Sequence, residues 1–313
     1  MNYQQSLKSL FKFLSCSLLL VVWACQSGPE GPDGTQTVSF IVTNYRQVSF
    51  DDLTAESNTR ATESIVMDLA NLSVSIFNVQ SNELVVPTIL HRSSDYDSDG
   101  TTAKQFPKFS VSLPYGQYRI LVLGYNGSRA CSITSLNHIA WEENYVPNTF
   151  LYSEVFTLDE NSSLTREITL RHVVAAFRVT AEDVIPTGLK KMRFSSSVGG
   201  IVLDGSTGFA MQNTGRTSDI AVPTSYVGKE GVDFTVYLFL SGEQDSGSYA
   251  VQALGENDVV LKEKHFPEVP LRINYLTQWQ GKFFEASSGD TPSVQSGFNI
   301  KWNMDWAGTI PLF

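Results

Sequence analysis

Residues 109–127 read FSVSLPYGQYRILVLGYNG and contain two apolar runs on either side of Pro114-Tyr115-Gly116. In the first run apolar residues alternate with serine, which is the two-residue period of a strand with one buried face. The second run, residues 118–125, is rich in branched and aromatic side chains that favour strands. Proline and glycine between the runs favour a turn, and Asn126-Gly127 is a dipeptide typical of hairpins. The segment therefore predicts two strands joined by a turn.

Similar patterns recur along the rest of the chain, with turn residues between them. They predict further strands at residues 38–42, 72–78, 155–158, 166–170, 173–181, 192–194, 199–203, 232–240, 249–254 and 259–264. Short strands separated by turn signals every 8–12 residues or so are typical of β-sandwiches and barrels. Residues 132–145 predict one short helix or an irregular loop, and no stretch predicts a long helix. The fold class is therefore predicted to be all-β.

The composition fits a globular protein. The chain has 313 residues, 42% of them hydrophobic, a net charge of -10 and only 17% charged residues. That charged fraction lies below the roughly 25% of typical soluble domains. The acidic balance argues against nucleic acid as a partner, because nucleic acid selects basic faces.

The N-terminus is typical of a bacterial lipoprotein signal. Lys8 and Lys12 precede an apolar run at residues 13–23 that is too short to span a bilayer comfortably. The run ends in Val-Trp-Ala-Cys at residues 22–25, which resembles a lipobox. We therefore predict a signal peptide at residues 1–24, lipidation of Cys25, and a Gly- and Pro-rich tether at residues 25–37. The alternative is a plain secretory peptide cleaved nearby, in which Cys25 has no role.

Cysteine usage excludes an internal disulfide. Cys16 lies in the predicted signal and Cys25 is assigned to lipid, so that Cys131 is the one thiol left. An acidic run at residues 95–100 resembles the start of a calcium loop, but Phe106 occupies the position where the loop needs a bidentate glutamate. We therefore predict no metal site.

Catalytic motifs are also missing. The four histidines, which are far apart in the sequence, are His91, His138, His172 and His265. No Gly-x-Ser-x-Gly, His-Glu-x-x-His or Walker pattern occurs. The chain is therefore predicted to be no enzyme and to need no cofactor. A hydrolase that uses carboxylates scattered through the sequence stays an open alternative.

The C-terminal segment has a pattern of its own. Residues 286–297 are rich in Ser, Gly, Asp and Pro, which is typical of a linker. After them, apolar residues occupy every second position: Phe298, Ile300, Trp302, Met304 and Trp306. This alternation predicts an amphipathic strand whose apolar face needs a hydrophobic groove. The groove belongs either to the same chain or to a neighbour that accepts the strand.

Four segments together resemble one known family. They are the lipobox that ends at Cys25, residues 40–62, residues 170–179 (LRHVVAAFRV) and residues 269–284, which begin VPLRINYLT. In this order they resemble the fimbrillins and fimbrial anchor lipoproteins of type V fimbriae, found in Bacteroidales. The resemblance spans most of the chain after the predicted signal.

The resemblance implies two tandem transthyretin-like Greek-key β-sandwich domains, at residues 38–165 and 166–285. It also implies a surface-exposed, lipid-anchored outer-membrane protein that acts in fimbria assembly and cell adhesion as an anchor, accessory, tip or stalk subunit. The implied partners are other fimbrial subunits and a host protein or glycan.

Stalk subunits of the family are cut after an arginine, which releases the first strand and opens a groove for a neighbour's strand. Arg46 and Arg60 are the candidates for such a cut in this chain. An anchor or accessory subunit would keep its first strand and its lipid. The alternative for Arg60 is an exposed arginine with no role.

A second class of function is a glycan-binding surface lipoprotein of a nutrient-uptake system. Such proteins hold sugars on exposed aromatic platforms. The tryptophans available for this role are Trp141, Trp279, Trp302 and Trp306.

Overall fold

The computed structural model describes residues 34–44, 69–92, 109–162 and 165–285. Within these ranges the chain forms seventeen β-strands and three short 3-10 helices but no α-helix, which confirms the all-β prediction. The first ten strands are β1 (Thr35–Asn44), β2 (Asn71–Asn78), β3 (Leu84–Arg92), β4 (Phe109–Pro114), β5 (Gly116–Tyr125), β6 (Cys131–Ser135), β7 (His138–Trp141), β8 (Thr149–Leu158), β9 (Thr165–Thr169) and β10 (Arg171–His172). The others are β11 (Ala175–Ala181), β12 (Lys191–Ser196), β13 (Arg216–Ala221), β14 (Val232–Leu238), β15 (Gln244–Leu254), β16 (Val260–Arg272) and β17 (Leu276–Gly281).

Two sheets enclose the core of the first half. One has the strand order β4-β1-β9 and the other the order β10-β8-β5-β2-β3. Inward-facing residues of both sheets, including Val38, Val74, Ile120 and Phe156, form one buried cluster. This arrangement is a β-sandwich, in which alternate residues of each strand face the opposite sheet.

The second half repeats this arrangement. Its sheets have the orders β14-β11-β17 and β13-β12-β15-β16. Phe177 of β11 lies at the centre of the core, with ring centroids 4.6 Å from Tyr249 and 5.6 Å from Phe266. Aromatic pairs at these distances add to the free energy gained from burial alone.

The two halves share one topology. Without β6, β7 and β10, each half has seven strands, which can be numbered in chain order: β1 to β5, β8 and β9 in the first half, and β11 to β17 in the second. In this numbering one sheet of each half has the strand order 4-1-7, and the other sheet contains the order 6-5-2-3. In both halves the first strand is central, antiparallel to the fourth and parallel to the last. The transthyretin-like assignment and the domain boundaries at residues 38–165 and 166–285 stay predictions.

A third buried cluster joins the halves. It contains Leu123 and Trp141 of the first half together with Val174, Phe239 and Leu276 of the second. The Trp141 ring lies 5.7 Å from that of Phe239. The junction is therefore apolar, and it excludes water from the contact between the halves.

Residues 132–145 differ from the prediction. In place of a helix or irregular loop, β6 and β7 form an antiparallel hairpin, and a 3-10 turn follows at Glu142–Asn144. The hairpin is held against the second half, because the backbone N–H of Ile139 donates to Leu203 O at 3.0 Å and that of Leu203 donates to Ile139 O at 2.8 Å. Contacts far apart in sequence thus decide the structure of this segment.

Three local predictions need correction. Asn126-Gly127 is no hairpin turn, because β5 pairs with β2 and β8 and not with the strand that follows it. The carboxamide oxygen of Asn126 instead accepts from the backbone N–H of Ala70 at 2.9 Å. Residues 199–203 form isolated bridges, at Gly200 and Leu203, and no strand. β1 begins at Thr35, earlier than the predicted strand at residues 38–42.

Candidate functional site

β1 is paired along both of its edges. It is antiparallel to β4, from Thr35 opposite Pro114 to Phe40 opposite Phe109. On its other edge it runs parallel to β9, from Ser39 opposite Thr165 onward. The first strand of the described chain therefore fills a slot between two strands that lie far from it in sequence.

The side chains of β1 form part of the core. Val38 and Phe40 are fully buried. The Phe40 ring stacks on Phe109 with centroids 5.0 Å apart and meets Phe156 edge-on at 5.7 Å. Full burial of each of these apolar side chains contributes about 1.5–3 kcal/mol to the free energy of unfolding.

The other face of β1 carries hydroxyl pairs. The hydroxyl groups of Thr37 and Ser112 lie 2.7 Å apart, and those of Ser39 and Ser110 lie 2.8 Å apart. These cross-strand pairs fix the register of β1 against β4. A structure without β1 would leave β4 and β9 with unpaired backbone groups and an apolar slot between them.

β3 is a second unusual strand, which the sequence analysis missed. Among the described residues β3 pairs only with β2, so that it forms an edge of its sheet. Its side chains Leu84, Val85, Ile89 and Leu90 are each about 40% exposed. Between Leu84 and Leu90 the strand reads LVVPTIL, with no charged residue. An exposed apolar edge of this kind is a template for another strand.

Pro87 lies in the middle of β3 and fits its position at an edge. Proline has no N–H to donate, so that within sheets it is tolerated on edge strands. The remaining backbone groups of the strand keep their capacity to pair. The run LVVPTIL is the sequence signal that could have identified this edge strand. Its proline argues against a central strand but not against an edge strand.

The predicted site residues Cys25, Arg46 and Arg60, and the predicted strand with Phe298, Ile300, Trp302, Met304 and Trp306, all lie outside the described residues. The position of the two arginines in the sequence nevertheless relates them to β1. Both arginines lie between the end of β1 at Asn44 and the start of β2 at Asn71. Hydrolysis after either arginine would separate β1 from the rest of the chain.

The tryptophans that lie within the described residues are poor candidates for sugar platforms. Trp141 and Trp279 are only 4% and 2% exposed. Trp279 packs edge-on against Phe266 at 5.5 Å, and Lys264 covers its ring at 5.0 Å. Both rings therefore belong to cores, and neither presents a face to a ligand.

The two titratable groups His172 and Cys131 have structural roles. The His172 ring stacks on Phe150 with centroids 3.7 Å apart, and its Nδ1 lies 2.6 Å from the carboxamide oxygen of Asn274. Burial lowers the pKa of His172 to about 4, so that the ring is neutral at pH 7. Burial also raises the pKa of the Cys131 thiol to about 12, which keeps it protonated and unreactive.

Among the described residues, no group of three or more His, Cys, Asp or Glu side chains is placed to bind a metal ion. Within the same part of the chain, no helix has the length and apolar character needed to cross a membrane.

No protein-family model matches the sequence, and a comparison with curated proteins finds no relative. Solved structures do match. A candidate adhesin from Bacteroides ovatus has a TM-score of 0.45 at 12% identity, over 78% of this chain and 88% of that one. The tip fimbrial protein Mfa3 from Porphyromonas gingivalis has a TM-score of 0.38 at 13% identity, over 80% and 97%. A candidate cell adhesion protein from Bacteroides fragilis has a TM-score of 0.38 at 8% identity, over 81% and 95%.

Proposed function

We propose that this chain is a lipid-anchored, surface-exposed outer-membrane subunit that acts in fimbria assembly and cell adhesion by pairing β-strands with other subunits. It works by binding alone and is no enzyme. The observation that carries the proposal is the position of β1, which is the first strand of the described chain and the central strand of its sheet. The lipobox, the edge at β3 and the C-terminal alternation support it.

β1 links the proposed anchor to the folded body. Residues 26–34 separate Cys25 from Thr35, the first residue of β1. A lipid on Cys25 would therefore hold the sandwich close to the membrane through a strand that is part of the core. Acyl chains contribute about 0.8 kcal/mol for each buried CH2 group, and stable anchoring takes more than one chain.

Retention of β1 and retention of the lipid depend on each other. A chain cut after Arg46 or Arg60 would lose its covalent link to Cys25 and would leave the slot between β4 and β9 to another strand. An uncut chain keeps both. We propose that this protein keeps the uncut form, that of an anchor or accessory subunit, in which Val38 and Phe40 stay buried in the core of the first half.

In the uncut form β1 fills the slot between β4 and β9, so that a strand of another subunit must pair with a different sheet edge. We propose that residues 298–306 of a second copy pair with β3. The lengths match, because β3 has 9 residues and the C-terminal alternation covers nine. The apolar side of that segment would lie beside Ile89, which is opposite the core residue Val74 and faces the same side of the sheet, and backbone hydrogen bonds would add affinity, as in other cases of strand addition.

Two variants made in the native host test the proposal, with separate readouts for anchor and docking. Replacing Cys25 by serine is expected to release the protein from the outer membrane, whereas the matched control Cys131→Ser stays bound. Deleting residues 286–313 is expected to leave the protein in the membrane but to abolish its assembly with other copies of the chain. Retention of Cys25→Ser in the outer membrane would refute the anchor, and normal assembly of the deletion would refute strand donation.

A further inference from the structure

A cleft of about 350 Å³ lies where loops of the first half meet the second half. Its lining includes Arg129, Asn144 and Tyr145 from the first half, and Arg216 of β13 and Tyr237 of β14 from the second. Junctions of this kind are common places for small-molecule sites. The strand pairing proposed above does not use this cleft.

Arg216 is one of two arginines that line this cleft, the other being Arg129. One terminal nitrogen of its guanidinium group donates to the backbone carbonyl of Tyr237 at 3.0 Å, and the other to that of Asn144 at 3.3 Å. Its Nε is buried and has no hydrogen-bond partner among the described residues. Arginine carries five N–H donors, so that these two bonds leave most of its capacity unused.

No carboxylate of the described chain forms an ion pair with Arg216, although two carboxylates line the same cleft. Glu143 pairs with Arg129. Asp219 pairs with Lys191 at 3.0 Å and with Arg193 at 2.7 Å. Both carboxylates are thus neutralised by other cations, and Arg216 is left with neutral carbonyl groups alone.

Burial makes this charge poorly solvated. Desolvation lowers the pKa of Arg216 to about 10, which still leaves the group charged at pH 7. A partly buried cation that is bonded to carbonyls alone lacks the compensation that an anion would give. Carboxylates suit arginine best, because the planar guanidinium group matches their two oxygens.

The rest of the lining suits a sugar ring. Ser218 lies two residues beyond Arg216 on the same strand, and its hydroxyl is buried without a partner among the described residues. The lining also contains hydroxyl groups, the carboxamide of Asn144 and the apolar residues Val146, Ile220 and Val236. This mixture fits a pyranose ring, which presents hydroxyl groups at its rim and C–H groups on its faces.

We propose that the cleft binds an acidic sugar whose carboxylate lies against Arg216 and whose ring rests on the mixed lining beside Ser218. The probe is D-glucuronate. D-glucose has the ring without the carboxylate, and acetate has the carboxylate without the ring, so that the two controls test these groups separately. Titration calorimetry or ligand-observed NMR on the purified mature protein measures the three dissociation constants. For a site of this size we expect D-glucuronate to bind with a Kd of about 1–10 mM, at least about tenfold more tightly than either control.

Variants locate the site. Arg216→Gln is expected to raise the Kd for D-glucuronate by about tenfold or more, and Ser218→Ala by about threefold. The matched control is Arg171→Gln, because Arg171 also donates to a backbone carbonyl, that of Thr207, but lies outside the cleft. This control should leave the Kd unchanged. Ser218→Ala removes one hydroxyl and keeps the test valid should Arg216→Gln fail to fold.

Three results would overturn the proposal. The first is equal binding of D-glucose and D-glucuronate, or no binding of either. The second is binding of acetate as tight as that of D-glucuronate, since this would show a site for anions without recognition of a sugar. The third is unchanged affinity in folded Arg216→Gln or, should that variant not fold, in Ser218→Ala.

Discussion

Replacing Phe40 by alanine tests whether β1 is a core strand of the first half in solution. Phe40 is fully buried between Phe109 and Phe156, with ring centroids at 5.0 and 5.7 Å. Truncation of a buried phenylalanine costs about 3–5 kcal/mol, through lost transfer free energy and the cavity that remains. Both aromatic contacts are lost, which places Phe40→Ala in the upper part of this range.

Hydrogen–deuterium exchange of the mature, lipid-free chain is the assay. Loss of about 3–5 kcal/mol should speed exchange of the amides that β1 protects, in β4 and β9, by about two to four orders of magnitude. Amides of β11 and β14 should exchange as before, because these strands belong to the other core. Thr37→Ala is the matched control on the same strand. Its side chain is exposed and loses one hydroxyl contact with Ser112, worth about 1 kcal/mol or less.

Two outcomes would refute the reasoning. Equal effects of Phe40→Ala and Thr37→Ala would mean that the Phe40 side chain is not packed in the core. Equally faster exchange in β11 and β14 would mean that the halves do not have separate cores.

Three further predictions follow from other described contacts. His172 has a pKa of about 4 in the folded chain against an ordinary 6.5, so that unfolding takes up a proton between these two pH values. The free energy of unfolding of the wild type should therefore fall by up to about 3 kcal/mol, relative to that of His172→Gln, as the pH falls from 6.5 to 4. Urea unfolding at several pH values measures this difference. The Asp183 carboxylate accepts from the backbone N–H groups of Phe283 at 2.8 Å and Glu285 at 2.7 Å; Asp183→Ala should lower the free energy of unfolding by about 2–3 kcal/mol, and a loss below about 0.5 kcal/mol would contradict this role. Ile89→Lys on the exposed edge should weaken self-association in analytical ultracentrifugation while it changes stability by less than about 1 kcal/mol, and unchanged association would exclude β3 as a docking edge.

Sequence patterns predicted most of the strands that bury one face or both faces. In β5 the residues Tyr118, Ile120 and Val122 face the first core, and Leu121 and Leu123 face the junction between the halves. A strand covered on both faces reads as a continuous apolar run, which is why residues 118–125 were recognised as a strand.

β3 escaped prediction because most of its side chains are exposed and Val86 is only partly buried against the first core, so that burial imposed no alternation on its sequence. The β6–β7 hairpin escaped for a different reason. Its strands are short, and the hydrogen bonds between Ile139 and Leu203 that hold it arise from distant parts of the chain. Local sequence carries little information about such contacts.

The cleft at Arg216 was also out of reach of sequence patterns. Arg129, Tyr145, Arg216 and Tyr237 are spread over more than a hundred positions of the chain. Only the packing of the second half against loops of the first brings them together. The short strand that carries Arg216, RTSDIA, has little apolar alternation and is not among the predicted strands.

The most direct test of the proposed anchor function is the intact mass of the protein purified from membranes of its native host. The proposal predicts a chain that begins at an acylated Cys25 and still contains β1. A chain that begins after Arg46 or Arg60 would contradict it, because the protein would then have lost both its anchor and its first strand.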